Sequence, residues 1–469
     1  MLYASISEIR AFDKTLAEQI VPLPGLSKQD GLLARAAAGL SDFVLKLCAS
    51  GGGGADALLP DIYAVSGKGF NGADTRIAGQ NLRERGFRVL FFDVSENADG
   101  LRAHAPGTVR KGAVVLDGVL GIGAAGAPRG AAREAIRWIN SLRGRARIIA
   151  TDVPSGWNAD TGAPFSDDAV VEAEHTVCMG LPKIGMAKEG ALKWCGCVHV
   201  NALGVPVGGL ESGDGARDEM VTEGDADALI PPPRWDAHKG DFGHVVVVGG
   251  AAGYSGAPVI AARGALSAGA GLVSVLMPEE ALKFAPPIPA ELMVRAVAES
   301  AAFPRAFDFA GKVAVVGPGW GRFGEAANIV LRFANESGAK ALVIDADGLN
   351  AFEGKAEMLA EIKIPLILTP HPGEAKRLSG EKRNSRAEDL SRLVELTGAT
   401  VILKGAGTLV SAPGKGTHLI PFANPKMARG GTGDLLAGMC GAWLARGLAP
   451  FDAARVAAWK HADQFTYAN

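Results

Sequence analysis

The chain has 469 residues, too many for one ordinary hydrophobic core, so two domains are the starting expectation. Hydrophobic residues make up 48% and charged residues 21%, as in a soluble globular protein, and 48 Lys+Arg against 50 Asp+Glu offer no nucleic-acid surface. Five scattered cysteines suit a reducing compartment, no run of about 18 apolar residues marks a membrane span, and no signal peptide is visible, so the cytoplasm is the expected location and no membrane partner is expected.

In chain order, the glycines Gly51–Gly54 read as a flexible loop ahead of the first strand of an N-terminal domain. "RVLFFDV" (Arg88–Val94), "AVVLDGVLG" (Ala113–Gly121) and "ARIIATDVPSG" (Ala146–Gly156) read as buried strands opening into loops, with the helical pattern "AAREAIRWINSL" before the last. Cys195 and Cys197 in "WCGCVH" lack the second pair that a four-ligand metal site needs, so they read as core or strand cysteines. The stretch Gly204–Pro233, rich in Gly, Pro and acids, contains the linker, dividing the chain into 1–205, a linker 206–228, and 229–469. "HVVVVGG", "KVAVVGPGWG", "ALVIDADGLN", "PLILTPHPGE" and "TVILKGAGT" repeat the strand-then-loop design in the second half. Continuous β-branched runs alternating with helices predict an α/β fold of parallel sheets covered on both faces, with ligands at the carboxyl ends of the strands.

The loops at those ends carry the chemistry. "GGTGD" (Gly430–Asp434) opens an apolar helix, where backbone N–H groups and the positive dipole end favour phosphate oxygens. A carboxylate there would repel an anion, unless Asp434 takes a proton from a substrate hydroxyl while the amides hold phosphate; the alternative is an N-capping aspartate. "LKGAGT" (Leu403–Thr408) could cradle a nucleotide with Lys404 or be a plain turn. In "TPHPGE", Pro370 and Pro372 fix the backbone around His371. "GPGWG" (Gly317–Gly321) and "GGAAGYSGA" (Gly249–Ala257) allow close backbone approach to a ligand, and the aspartates of "DADGLN" serve a magnesium shell or cap a helix.

Taken in order, "HKGDFGHVVVVGG", "AGAGLV", "AELMV", "GPGWG", "DADGLN", "TPHPGEAKRL", "LKGAGT" and "GGTGD" closely resemble the dehydratase domain of NAD(P)H-hydrate repair enzymes, from Trp235 to His461. The resemblance implies a ribokinase-like αβα domain acting on NADHX or NADPHX, reduced nicotinamides carrying water across a ring double bond. ADP or ATP, with magnesium, would phosphorylate the ring hydroxyl, and loss of phosphate would restore NADH or NADPH. By motif, Asp434 resembles the catalytic aspartate. His371, Gly256, Ala257 and a glycine of "GPGWG", Gly319 or Gly321, resemble hydrate contacts; Lys404, Gly405, Ala406, Gly407, Thr408 and Gly433 resemble nucleotide contacts.

The first half resembles the family's epimerase domain, implying a Rossmann-like three-layer αβα unit that interconverts R and S hydrates. "DVPSGWNADTG" (Asp152–Gly162) is the most specific match, with Asp152 implied as the acid/base residue at the hydrated carbon; taken alone, an Asx turn is its other reading. In "LDGVLGIGAAGAP", Asp117 would coordinate potassium, as would Ser155, while Gly121, Ile122, Gly123, Ala124, Ala125, Gly126 and Ala127 would cover the dinucleotide phosphates. Where the family reads "GNNGGDG" this chain reads "GFNGADT". Phe70, Asn71, Gly72, Ala73 and Asp74 would lie against the substrate, with Asn71 also a potassium ligand, but Phe70 loses an amide and Ala73 and Thr75 restrict angles that glycine allows. A non-catalytic scaffold is therefore the competing reading of this half, and a ribokinase-like small-molecule kinase that of the second. The family also continues beyond His461 with a strand or helix that this chain lacks, so an incomplete final sheet edge is expected, leaving homo-oligomeric association open.

Overall fold

The computed structural model describes residues 1–19, 27–49, 58–204, 217–380 and 384–466. The glycine loop expected at 51–54 and residues 206–216 of the expected linker lie outside them. The chain divides into two compact units: Met1–Gly213 with Pro421–Asn424 and Gln464–Asn469, and Asp214–Ile420 with Pro425–Asp463.

The first unit is built on β1 (Ile62–Ser66), β2 (Val89–Asp93), β3 (Ala113–Gly118), β4 (Ala146–Thr151), β5 (His175–Met179) and β6 (Cys197–Asn201). Their order is β2-β1-β3-β4-β5-β6, and every pair is parallel. Alternate side chains point to opposite faces of a strand. Accordingly Ile62, Ala64, Val114 and Leu116 pack with Leu40, Val44, Ala78 and Leu82 of the helices Lys28–Ala49 and Phe70–Glu84, while Tyr63, Val65, Val115 and Ile148 pack with Ala135, Ile136 and Ile139 of Gly130–Ser141. That is the expected three-layer αβα arrangement. Strand order reverses between β1 and β3, which opens a crevice at their carboxyl ends. Cys195 and Cys197 are buried, Cys195 at the end of the short helix Leu192–Cys195 and Cys197 at the start of β6, in keeping with core or strand cysteines.

The second unit holds β7 (Glu219–Met220), β8 (His244–Val248), β9 (Leu272–Pro278), β10 (Met293–Val297), β11 (Val313–Val316), β12 (Ala341–Ile344), β13 (Leu366–Leu368), β14 (Thr400–Leu403), β15 (Thr408–Ser411) and β16 (His418–Ile420). They form one sheet in the order β10-β9-β8-β11-β12-β13-β14-β15-β16-β7, antiparallel only at β14–β15 and β15–β16. Residues 219–228, placed in the linker by sequence, are instead β7 and a helix, Glu223–Ala228, whose start is fixed by a capping box between Thr222 and Asp225. β7 pairs with β16 and forms one edge of the sheet; the last described element is the helix Pro450–Thr466.

One face of this sheet, including Val246, Val248, Ala314, Val316, Leu342 and Ile344, packs on Ile329, Val330 and Phe333. On the other face lies the helix Thr432–Ala445, with Gly441 directly above Val315 and Val245. A Cβ at Gly438 would come 1.7 Å from the Ala261 carbonyl oxygen, and one at Gly264 would come 2.1 Å from that of Leu435. Glycine at both contacts lets Thr432–Ala445 and Gly256–Ser267 meet backbone to backbone, which sets the height of the "GGTGD" helix start over the strand ends.

Candidate functional site

In the second unit a cleft of about 380 Å³ is lined by Asp345, Ala346, His371, Pro372, Lys404, Gly405, Gly431, Thr432, Gly433 and Asp434. These residues come from the ends of β12, β13 and β14 and from the start of Thr432–Ala445, separate in sequence and joined by the parallel sheet. Asp434 lies in the helix's first turn without a side-chain cap bond at the N-cap Gly431, so capping does not account for it. Burial first, and then the charge of Asp345, push its carboxyl up to about 7 against the pull of Lys404. Such a group is poised to accept a proton near neutral pH.

The Lys404 Nζ donates to Asp345 Oδ1 at 2.9 Å and lies 3.9 Å from Glu374 Oε2. Burial disfavours the ammonium, but Asp345 and Glu374 hold it above its ordinary value, so it stays charged. Asp345 also accepts from Thr369 Oγ1 at 2.8 Å. "DADGLN" therefore supplies more than a helix cap: Asp345 anchors the lysine, Asp347 Oδ2 accepts from Gly321 N at 2.8 Å, and Ala346 between them is held at φ 48, a conformation rare for a residue with a Cβ. Sequence reasoning named this motif without selecting Asp345.

His371 caps the helix Pro372–Ser379: its Nδ1 accepts from Gly373 N at 3.0 Å and Glu374 N at 3.3 Å, and Glu374 Oε2 accepts from His371 N at 2.8 Å. Burial, then Lys404 and Arg377, lower its pKa, in keeping with a neutral ring whose Nδ1 is an acceptor. Gly405, Ala406, Gly407 and Thr408 make the β14–β15 turn, which Arg386 ties down through the carbonyls of Ala406 at 2.8 Å and Gly407 at 2.9 Å. Gly433 reaches the lysine, since a Cβ there would lie 3.1 Å from Lys404 Nζ. Gly256, Ala257, Gly319 and Gly321 gather at the ends of β8 and β11 rather than in the cleft lining. Gly319, at φ 60, is so close to Ala257 that its Cβ would be 2.9 Å from the alanine's.

In the first unit Asp152 stands just past β4 at φ 65, a strained angle for a non-glycine that turns its carboxylate over the strand ends. It contacts the Nζ of Lys183 and accepts from Met179 N at 2.9 Å. Lys183 is only 1% exposed and also donates to Met179 O at 3.0 Å. Its burial opposes a charge, but Asp152 and the Cys178 sulfur outweigh it and raise its pKa. Sequence reasoning missed Lys183; an unpaired lysine just after the apolar strand "TVCMGLP" was the available signal.

Ser155 donates Oγ–H to Asp117 Oδ1 at 2.6 Å and N–H to Oδ2 at 2.8 Å, and its Oγ accepts from Leu120 N at 2.8 Å. Burial pushes Asp117 up to about 6 against those bonds. Asn71 donates to Leu120 O at 2.9 Å, while its own Oδ1 is buried without a partner. The three residues implied as potassium ligands are thus linked through Leu120. The loop Gly121–Ala127 runs from there toward solvent, with Gly121 against Asn71.

"GFNGADT" departs from what its sequence suggests. Phe70 begins the helix Phe70–Glu84, so Ala73 and Thr75 sit at helical positions and neither has a positive φ. Thr75 instead bonds Thr151 at 2.8 Å in the core, and Gly72 and Asp74 are buried beside it, whereas Phe70 is 64% exposed. Neither Ala73 nor Thr75 stands at a position that calls for the angles only glycine allows.

Among the described residues no group of three or more His, Cys, Asp and Glu is arranged to hold a metal ion, and no helix is long and apolar enough to cross a membrane. Comparison with known proteins adds the following. A family model described as NAD(P)H-hydrate dehydratase matches residues 245–465, and one described as YjeF-related protein N-terminus matches 96–185, a span that begins after "GFNGADT". A bifunctional NAD(P)H-hydrate repair enzyme of Coxiella burnetii is 32% identical over 90% of this chain and 90% of its own. One of Gloeobacter violaceus is 34% identical over 86% of this chain and 83% of its own. An ADP/ATP-dependent NAD(P)H-hydrate dehydratase from Bacillus subtilis, crystallised with ATP/Mg2+, is 26% identical over 52% of this chain and 87% of that one, with a TM-score of 0.45.

Proposed function

The chain belongs to the family of bifunctional NAD(P)H-hydrate repair enzymes, and on that premise we propose how its two sites divide the work. The activity is nicotinamide nucleotide repair: R- and S-NAD(P)HX are interconverted, and S-NAD(P)HX is dehydrated to NAD(P)H with ADP or ATP consumed. The cleft of the second unit carries the dehydration. The observation behind this is Asp434, a carboxyl group held at about 7 on a helix start whose amides suit phosphate. Asp434 takes the ring hydroxyl's proton as the oxygen attacks the terminal phosphorus of the nucleotide. The helix amides and Lys404, held by Asp345, offset the charge on the transferred group. The nucleotide leaves one phosphate shorter, and loss of phosphate from the ring together with a proton from the neighbouring ring carbon then restores the double bond. Magnesium would arrive on the nucleotide phosphates and neutralise their charge there.

The first unit carries the epimerisation, with Asp152, fixed by Lys183, as acid/base residue. Potassium fits the oxygen set of Asn71, Asp117 and Ser155, because Asn71 Oδ1 is buried and otherwise unsatisfied. When bound, the ion would supply positive charge beside the substrate's phosphates. The test is to incubate the protein with mixed hydrate epimers, magnesium and ADP or ATP and to follow regenerated NADH by absorbance. Conversion of both epimers, with the R epimer consumed faster than it inverts spontaneously, supports both assignments. Conversion of S alone removes the epimerase, and a stable phosphorylated product would select a small-molecule kinase instead.

A further inference from the structure

The N-terminal site holds a second carboxyl group whose surroundings are the opposite of those of Asp152. Asp74 lies near the start of Phe70–Glu84, is 7% exposed, and has an Oδ1 that is buried without a hydrogen-bond partner. Among the described residues it has no ion pair. Asp152, by contrast, has both the Lys183 ammonium and the Met179 N–H. The residues next to the two aspartates, Thr75 and Thr151, share a hydrogen bond of 2.8 Å, which ties the helix start to the end of β4. Leaving a buried carboxylate unpaired is costly, so the neutral form is favoured at Asp74, whereas the Asp152 carboxylate has an ammonium and an N–H to hold it. A buried, unpartnered carboxyl group beside one held by an ammonium sets a proton donor next to a proton acceptor.

We propose that Asp74 gives the proton and Asp152 takes it when the hydroxyl-bearing ring carbon is inverted, a role that rests on the epimerase reading above. The hydrate is a ring double bond plus water, so inversion can proceed by losing that water and adding another. Asp74 protonates the hydroxyl as the carbon–oxygen bond breaks, and the bonding pair leaves on the oxygen of a water molecule. The ring's conjugated electrons stabilise the cation left behind. A water then bonds to the opposite face through an oxygen lone pair, and Asp152 takes its proton. Asp74 ends as a carboxylate and Asp152 as an acid, solvent resets both, and no electrons enter or leave the substrate. The charged groups that act on Asp74 are Asp152 at the end of β4 and Asp13 on the helix Ile6–Gln19; Lys183 is paired with Asp152, and Arg76 on the same helix as Asp74 donates to Gly67 O at 3.0 Å. Burial, then Asp152 and Asp13, push Asp74 up to about 8, which keeps the donor protonated at neutral pH.

The experiment gives the full chain purified R-hydrate with potassium and no nucleotide, in 18O-labelled water, and separates R from S by chromatography. Wild type is run first. If it does not exceed the spontaneous rate, the epimerase reading itself fails. With wild type active, Asp74→Asn should lower kcat by about 10²–10⁴-fold while the Kd for R-hydrate, measured by calorimetry, stays within about threefold of wild type. The S product should carry one solvent oxygen per inversion. The wild-type rate should fall as pH rises through about 8, and the variant should lose that limb. If Asp74→Asn loses the wild-type thermal transition, Asp74→Glu decides in its place, and measurable inversion is expected. The proposal is overturned by an Asp74→Asn kcat within threefold of wild type, by weakening of Kd to the same extent as kcat, by an S product that keeps its original oxygen, or by a folded but inactive Asp74→Glu.

Discussion

Replacing Asp434 with asparagine tests the dehydratase cleft in two independent ways. Burial and the neighbouring Asp345 hold the carboxyl at about 7, against an ordinary value of 3.8. A general base acts only when ionised, so S-hydrate dehydration by the wild type should rise with pH and level off above about 8. One pH unit below its pKa a group is about one tenth ionised, so the rate at pH 6 should be about tenfold below the plateau. Asp434→Asn keeps the shape and removes the base; at pH 8 the rate should fall about 10²–10⁴-fold, and the rising limb should vanish. Nucleotide affinity should hold, because the helix amides are untouched. The same change should stabilise the fold. A carboxyl group whose folded pKa lies above its unfolded one favours the protonated folded chain, so its ionisation costs stability as pH climbs from about 4 through about 7. From 3.8 to about 7 that cost is on the order of 4 kcal/mol, which the neutral amide avoids. The variant should therefore melt above wild type at pH 8 and level with it near pH 4. The assays are initial rates of NADH formation from S-hydrate between pH 5.5 and 9 and calorimetric melting at the two pH values. A flat wild-type profile, or a variant within threefold of wild type at pH 8, would refute the role of Asp434 as base.

Three further outcomes are expected. Gly438→Ala puts a Cβ 1.7 Å from the Ala261 carbonyl oxygen, so the helix must move; a loss of about 1–3 kcal/mol in urea unfolding and a slower dehydration are expected, and wild-type values in both would contradict the close-packing argument. Lys183→Met leaves the Asp152 carboxylate without its ammonium, so inversion of R-hydrate should drop at least about 100-fold while nucleotide-dependent turnover of S-hydrate changes less than about twofold, as read by supplying each epimer separately. Exchanging potassium for lithium should slow inversion and also lower the melting temperature of wild type but not of Asn71→Leu, because an ion that binds only the folded state adds to its stability; identical melting in the two salts would argue against a potassium site at Asn71, Asp117 and Ser155.

Much of the molecule was legible from its sequence, because parallel sheets advertise themselves. Strands such as "HVVVV" and "VAVV" are buried on both faces and read as unbroken β-branched runs, and the glycine-rich loops at their carboxyl ends follow from the topology. Lys404, His371, Asp152 and Ser155 lie in such loops, Asp117 at the end of β3 and Asp434 in the first turn of the helix that follows one, and all belong to motifs that the sequence shows. β5 and β6 were not marked: His175, Thr176 and Cys197 dilute the apolar signal, although the strands are paired in register within the sheet. β7 and the helix Glu223–Ala228 were hidden for a similar reason, since two residues and six residues are too short to show a period.

What the sequence could not carry is how far each charge is from the next and from water. Nothing local marks Lys183 as the partner of Asp152, 31 positions earlier, or Asp345 as the anchor of Lys404, 59 positions later. Nor does "GFNGADT" reveal that its threonine closes a core hydrogen bond with Thr151 rather than blocking a glycine turn, or that its aspartate lies buried without a partner. The residue types and their loops follow from local periodicity and turn chemistry, which a linear chain records directly. Proton affinities depend on burial and on charges brought together from distant strands, and only the packed sheet brings them within reach of one another.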